Sequence, residues 1–219
     1  MSDFNKIVCA QRLAEGTALM GLNLEGQKQQ QLLDYLGLMY KWNKAFNLTA
    51  VRDPLEMVSR HLLDSLMLLP YLQGANCLDM GTGPGLPGIP LAIMRPDMPF
   101  TLLDSNSKKI RFLRQVVMEL ALDHCQPVHS RVEAYQPKQP FDLLTARAMT
   151  SLSRLLEVSR HLRSSESLLL AMKGRNPEQE IAEITADYDS RVTTLNVPFT
   201  DGERCLVTVR QKNTPEITI

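Results

Sequence analysis

The chain changes rhythm near residue 74. Before that point apolar residues recur three and four positions apart. Between Gln27 and Trp42, Leu32, Leu33, Leu36, Met39 and Tyr40 form one stripe, which predicts an amphipathic helix. The stretch Trp42-Asn-Lys-Ala-Phe-Asn-Leu-Thr49 mixes aromatics with turn-forming polar residues and is expected to leave that helix. Asp53-Pro-Leu-Glu56 then opens another: Asp caps, proline suits the first helical position, and the glutamate can reach back to the cap. This helix is expected to stop at Pro70.

Past residue 74 the pattern becomes short apolar runs separated by helical stretches. It predicts strands near 76–80, 99–104, 125–129, 141–146, 167–172, 192–197 and 204–211, and helices near 86–95, 107–122, 151–162 and 176–188. Strand–helix alternation with short turns implies an α/β fold, a parallel sheet covered on both faces. Asp201-Gly202 marks a turn with no helix between the last two runs, so the final strand is expected to be antiparallel. The expected division is a helical extension over 1–73 and a Rossmann-like core over 74–219, together one compact unit.

The chemistry concentrates in Leu78-Asp-Met-Gly-Thr-Gly-Pro-Gly-Leu-Pro-Gly88, a glycine turn between a strand-like and a helix-like run. Asp104 closes the next apolar run, where a carboxylate can accept hydrogen bonds from ribose hydroxyls. No Gly-Lys-Ser/Thr follows the glycines, which excludes a P-loop. Gly83-Pro-Gly-Leu-Pro-Gly88 has dinucleotide spacing. Asp79 before Gly81, Gly83 and Gly85 suits instead the cationic S-adenosylmethionine, and prolines 84, 87 and 90 remove donors that a pyrophosphate would use. Seven strands with the last reversed is likewise the arrangement of class I S-adenosylmethionine-dependent methyltransferases. Val132 and Glu133, after the third strand, are placed to meet an adenine.

Composition adds little except by exclusion. Hydrophobic residues make up 44% and charged residues 22%, ordinary for a globular protein, and the net charge is zero. No apolar run reaches the roughly 18 residues of a membrane helix. The first residues lack the order of a signal peptide, and four scattered cysteines suggest neither disulfides nor a metal site. A cytoplasmic protein, with no membrane or metal partner and monomeric, is the expectation. Between Leu103 and Arg175 there are 12 basic residues against 7 acidic ones, a local excess beside the glycine turn.

For the methyl acceptor, the place after the fourth strand reads Thr145-Ala-Arg147-Ala rather than the Asn/Asp-Pro-Pro-Tyr of adenine amine methylation. No cysteine sits where a cytosine C5 nucleophile would. Guanine N7 needs no proton removed, and Arg147 could address guanine, phosphate or cofactor.

The motifs together carry a resemblance. Trp42 to Thr49, Arg60-His-Leu-Leu-Asp-Ser65, Asp79 to Gly88, Leu103-Asp-Ser105, Lys108-Lys-Ile-Arg-Phe-Leu113, Arg131-Val-Glu133, Arg147-Ala148 and Ala171-Met-Lys-Gly174 resemble the ribosomal small-subunit methyltransferase G family. The resemblance spans residues 27 to 210 and thins beyond Pro177. It implies a bacterial enzyme that methylates N7 of guanine 527 in the 530 loop of 16S rRNA, with the small ribosomal subunit as partner. Gly81, Leu86, Val132, Glu133 and Arg147 match the family's S-adenosylmethionine contacts, with Asp104 as ribose carboxylate. Pro84 and Leu86 stand where many members carry Ala and Phe. Arg147, His61 and Lys173 are the candidate substrate-facing residues. Arg60, Lys108, Lys109, Arg111 and Arg131 are the candidate RNA contacts, with Trp42, Lys44 and Arg52 in the roof.

Overall fold

The computed structural model describes residues 4–174 and 177–212. Seven strands form one sheet in the order β3-β2-β1-β4-β5-β7-β6. They are β1 Cys77–Met80, β2 Phe100–Asp104, β3 Cys125–His129, β4 Phe141–Arg147, β5 Arg163–Lys173, β6 Tyr188–Leu195 and β7 Arg204–Gln211. Parallel pairing joins β3 through β5, whereas β7 runs antiparallel to both β5 and β6. The final reversed strand is thus as the pattern predicts.

Consecutive apolar residues in the strands divide between two cores, because a strand points alternate side chains to opposite faces. Leu143, Leu170 and Leu206 join one, while Leu144, Leu169 and Val207 join the other. The first face carries α1 Lys6–Leu19, α2 Gly26–Phe46, α5 Gly88–Met94 and α6 Ser107–Glu119. The second carries α7 Leu152–Val158, with Ile181 of the short α8, Glu178–Ala182, against it. The N-terminal helices therefore share a hydrophobic core with the sheet. No helix among the described residues is long and apolar enough to cross a membrane.

Several boundaries differ from the pattern. Helix α2 continues through Trp42 to Phe46, because Trp42 packs on Phe46 and on Phe112 of α6 with ring centroids 5.1 and 5.5 Å away. It ends at Asn47, whose left-handed φ of 50° closes the helix. The Asp53-capped helix is interrupted: α3 Pro54–Met57 passes into a π-helical turn, Val58–Leu63, then α4 Asp64–Leu66. Asn106 caps α6, its side chain accepting from Lys108 N. Strand β6 begins at Tyr188 and α8 is short, since all eight residues of β6 pair with β7. The expected helix start at 176 and the outermost residues of both expected segments lie outside the described residues.

The glycine turn is fastened from two directions. Tyr35 of α2, fully buried, donates through its hydroxyl to Pro84 O at 2.8 Å. Gly88, the first residue of α5, sits so close to β1 and β2 that a Cβ there would lie 2.7 Å from Asp79 Oδ2 and collide with Leu102. Gly88→Ala is expected to destabilise the protein by about 1–3 kcal/mol through overpacking. Urea unfolding measures this, and an unchanged midpoint would contradict the packing described.

Candidate active-site cleft

The chain runs from β1 outward to β3 and then returns to β4 on the other side of β1. Ligands of such sheets bind where the order reverses, at the carboxyl ends of the strands. Two adjoining cavities of about 430 and 400 Å³ open there and share Gly81, Lys109 and Ala148. Gly81, Gly83 and Leu86 line the first, with Arg60 and Asp64 from the helical segment and Arg147 from β4. Asp104, Arg131, Val132 and Glu133 line the second.

Asp79, expected beside the ligand, lies inside the protein. The residue is completely buried, and its carboxylate accepts from the Thr82 and Thr145 hydroxyls and from Gly88 N. Burial pushes its carboxyl up to about 6, although those three donors pull in the other direction. Asp79 therefore ties the turn to α5 and β4 and lines neither cavity. Gly85 is corrected likewise. It lines neither cavity, and at its φ of 104° a Cβ would sit 2.5 Å from Ile89 Cγ1 and 2.8 Å from Leu113 Cδ2.

Asp104 remains at the cleft. Its Oδ2 accepts from Gly83 N at 2.9 Å and its Oδ1 from Asn106 N at 2.8 Å, with Lys109 Nζ 3.7 Å from Oδ2. Each oxygen keeps a lone pair for another donor. Beside it, Glu133 is exposed and pairs with Arg154 at 3.0 Å.

Arg147 is held rather than free. Its Nη1 donates to Asp64 Oδ2 and to Arg60 O, each at 3.0 Å, and Arg204 Nε of β7 lies 3.6 Å from Asp64 Oδ1. The π-helical turn brings the Arg60 carbonyl and the Asp64 carboxylate to the same guanidinium. Such turns occur often at functional sites. Lys173 lines the cleft but donates to Thr150 O and to Glu180 Oε2. Neither Asp64 nor Arg204 is marked as a cleft residue by the sequence pattern. An acid within the basic motif Arg60–Ser65 is the available signal, but its partners lie far along the chain.

His61 is not substrate-facing. Only 4% of it is exposed, and its Nε2 lies 3.0 Å from Thr49 Oγ1, which itself accepts from Val51 N. Burial, helped by the positive Arg147, lowers the His61 pKa to about 4, so the ring is neutral. Of the RNA candidates, Arg60, Lys109 and Arg131 border the cleft, whereas Lys108 and Arg111 are exposed on α6 outside both cavities. Met149, which no sequence signal marked, packs over Gly81.

The fold matches that of S-adenosylmethionine-dependent methyltransferases. A putative O-methyltransferase from Klebsiella pneumoniae superposes with a TM-score of 0.58 over 94% of this chain and 99% of that one, at 12% identity. An S-adenosyl-L-homocysteine complex of a methyltransferase from Thiobacillus denitrificans gives 0.53 over 68% and 90%, at 11% identity. Sequence comparison goes further. The model of the family rRNA small subunit methyltransferase G matches residues 28–207. The ribosomal RNA small subunit methyltransferase G of Ectopseudomonas mendocina (strain ymp) is 53% identical, over 92% of this chain and 96% of that protein. Its counterpart in Escherichia coli O1:K1 / APEC is 49% identical, over 87% and 92%. The chain belongs to the rRNA small subunit methyltransferase G family.

A neutral, buried His61 has a measurable consequence. The unfolded imidazole takes up a proton below its ordinary value of 6.5, while the buried ring resists protonation down to about 4. Wild-type stability minus that of His61→Gln should therefore rise with pH between about 4 and 6.5 and level off above. Urea titrations at stepped pH measure the difference, and a difference independent of pH would show an ordinary, exposed imidazole.

Proposed function

We propose that this methyltransferase modifies N7 of a guanine in 16S rRNA, guanine 527 of the 530 loop, with S-adenosylmethionine as donor. One observation carries the choice of acceptor atom: among the described residues lining the cleft, every acid is already engaged. Asp64 pairs with Arg147 and Arg204, Asp104 takes two backbone N–H groups, and Glu133 pairs with Arg154. None of the four cysteines, all buried, borders either cavity. Such a cleft offers no free base to remove a proton from an exocyclic amine and no thiolate to attack a pyrimidine. Guanine N7 requires neither, because its lone pair is already exposed in the base plane.

The residues present fit the donor. The two Asp104 oxygens, each with one acceptor position remaining, suit ribose hydroxyls, and Val132 with Glu133 suits an adenine edge. Gly81, Leu86 and Arg147 border the remaining half, where the guanidinium suits a carboxylate or the guanine itself. The bound donor would supply a methyl group on a positively charged sulfur. The chain's contribution is then alignment, exclusion of water by Leu86 and Met172, and a fixed positive field from Arg60, Arg147 and Lys109.

Methyl-labelled donor incubated with small subunits that have not been methylated at this site should label 16S rRNA, and digestion should yield 7-methylguanosine. Label in another nucleoside, or none, would defeat the proposal. Asp104→Ala should raise the KM for the donor at least about tenfold, as expected when two hydrogen bonds to a charged acceptor are lost.

A further inference from the structure

The motif Trp42 to Thr49 finds no role in the cleft, yet it builds a site of its own. Tyr40, Asn43, Lys44, Asn47 and Arg52 enclose a cavity of about 470 Å³ between the end of α2 and the loop that follows. That loop is pinned in place. The side chain of the buried Asn43 accepts from Thr49 N at 2.9 Å and donates to Val51 O at 3.1 Å.

Both cations of the cavity are oriented by neutral groups. Arg52 donates through Nη1 to Asn43 O at 3.1 Å and through Nη2 to Asn47 Oδ1 at 2.6 Å. Lys44 Nζ stands 4.5 Å from the centroid of Tyr40, whose ring also stacks on Phe4. Among the described residues, neither forms an ion pair with a carboxylate. Lys6 and Arg95 each have one, and Arg154 has two. The adjacent Asp53 turns its carboxylate to Leu55 N and Glu56 N as a helix cap. Two positioned charges with no counter-charge among the described residues, in a concave and solvent-facing surface, suit a phosphate.

The cavity is also tied to the cleft. Thr49 in its loop touches His61, and His61 directly follows Arg60, which borders the cleft. We infer that Lys44 and Arg52 form a second RNA subsite, which grips a backbone phosphate flanking the nucleotide that enters the cleft. This rests on the rRNA reading given above. The charges act through the RNA backbone, so they set register and affinity and read no base.

The test uses the full chain and purified small subunits, with binding measured across a series of salt concentrations. Each phosphate contact contributes about 0.7–0.9 to the slope of log K against log salt. Lys44→Gln, which breaks no hydrogen bond, should lower that slope measurably, and Lys44→Gln with Arg52→Gln by about 0.8, the share of one phosphate. Donor affinity and kcat should stay at wild-type values while KM for the subunit rises. The charge-keeping pair Lys44→Arg with Arg52→Lys should retain most of the slope. An unchanged slope in Lys44→Gln and the double variant would overturn the subsite, as would an equal loss in the charge-keeping pair. If wild type yields no 7-methylguanosine, the guanine assignment fails, but the slope comparison still decides the subsite.

Discussion

The geometry of the cleft depends on one buried carboxylate. Asp79 receives three hydrogen bonds, from the turn itself, from the start of α5 and from β4. An anion so far from water is stable only with such a full set of donors. In meeting that need the protein fixes how the glycine turn leaves β1, where α5 begins and how β4 lies beside them. Tyr35 adds a constraint from the helical extension by holding Pro84 O. The backbone on which a donor would rest is thereby set by side chains that never meet it.

Asp64 does a related job on the opposite wall. It gathers Arg147 from β4 and Arg204 from β7 against a helix that precedes the sheet in sequence. Two cations side by side repel, and the shared anion lets both stand at one opening. The extension is therefore a wall of the cleft, not an appendage, and it shares its hydrophobic core with the sheet. The cysteines, buried among apolar neighbours, belong to packing.

Much of the fold was legible because local patterns carry it. Apolar runs and the glycine turn located the strands, and Asp201-Gly202 announced the reversal before β7. Asp104 was legible because its position at a strand end fixes where it points. Asp79 was not, since whether it turns toward the ligand or inward is decided by Thr145, on a strand 66 residues away. His61 was ambiguous for the same reason: Thr49 and the shielding helices are tertiary facts. The true end of α2 also escaped the pattern. Trp42 looks like a loop aromatic until Phe112 is available to receive it, with Phe46 packed on its other side.

The π-helical turn at Val58–Leu63 sets a reading frame for the wall it belongs to. A π turn accommodates one residue more than an α-helix over the same span. Deleting a single residue within it would let the helix close in ordinary register. The flanking helical turns would keep their facing, while the residues inside the stretch would lose the spacing that the extra residue gives them. With a residue between them deleted, Arg60 and Asp64 would stand three positions apart instead of four, and the paired anchors of the Arg147 guanidinium would no longer be matched. Length in this short stretch is thus under tighter constraint than side-chain identity, the reverse of what holds for surface loops.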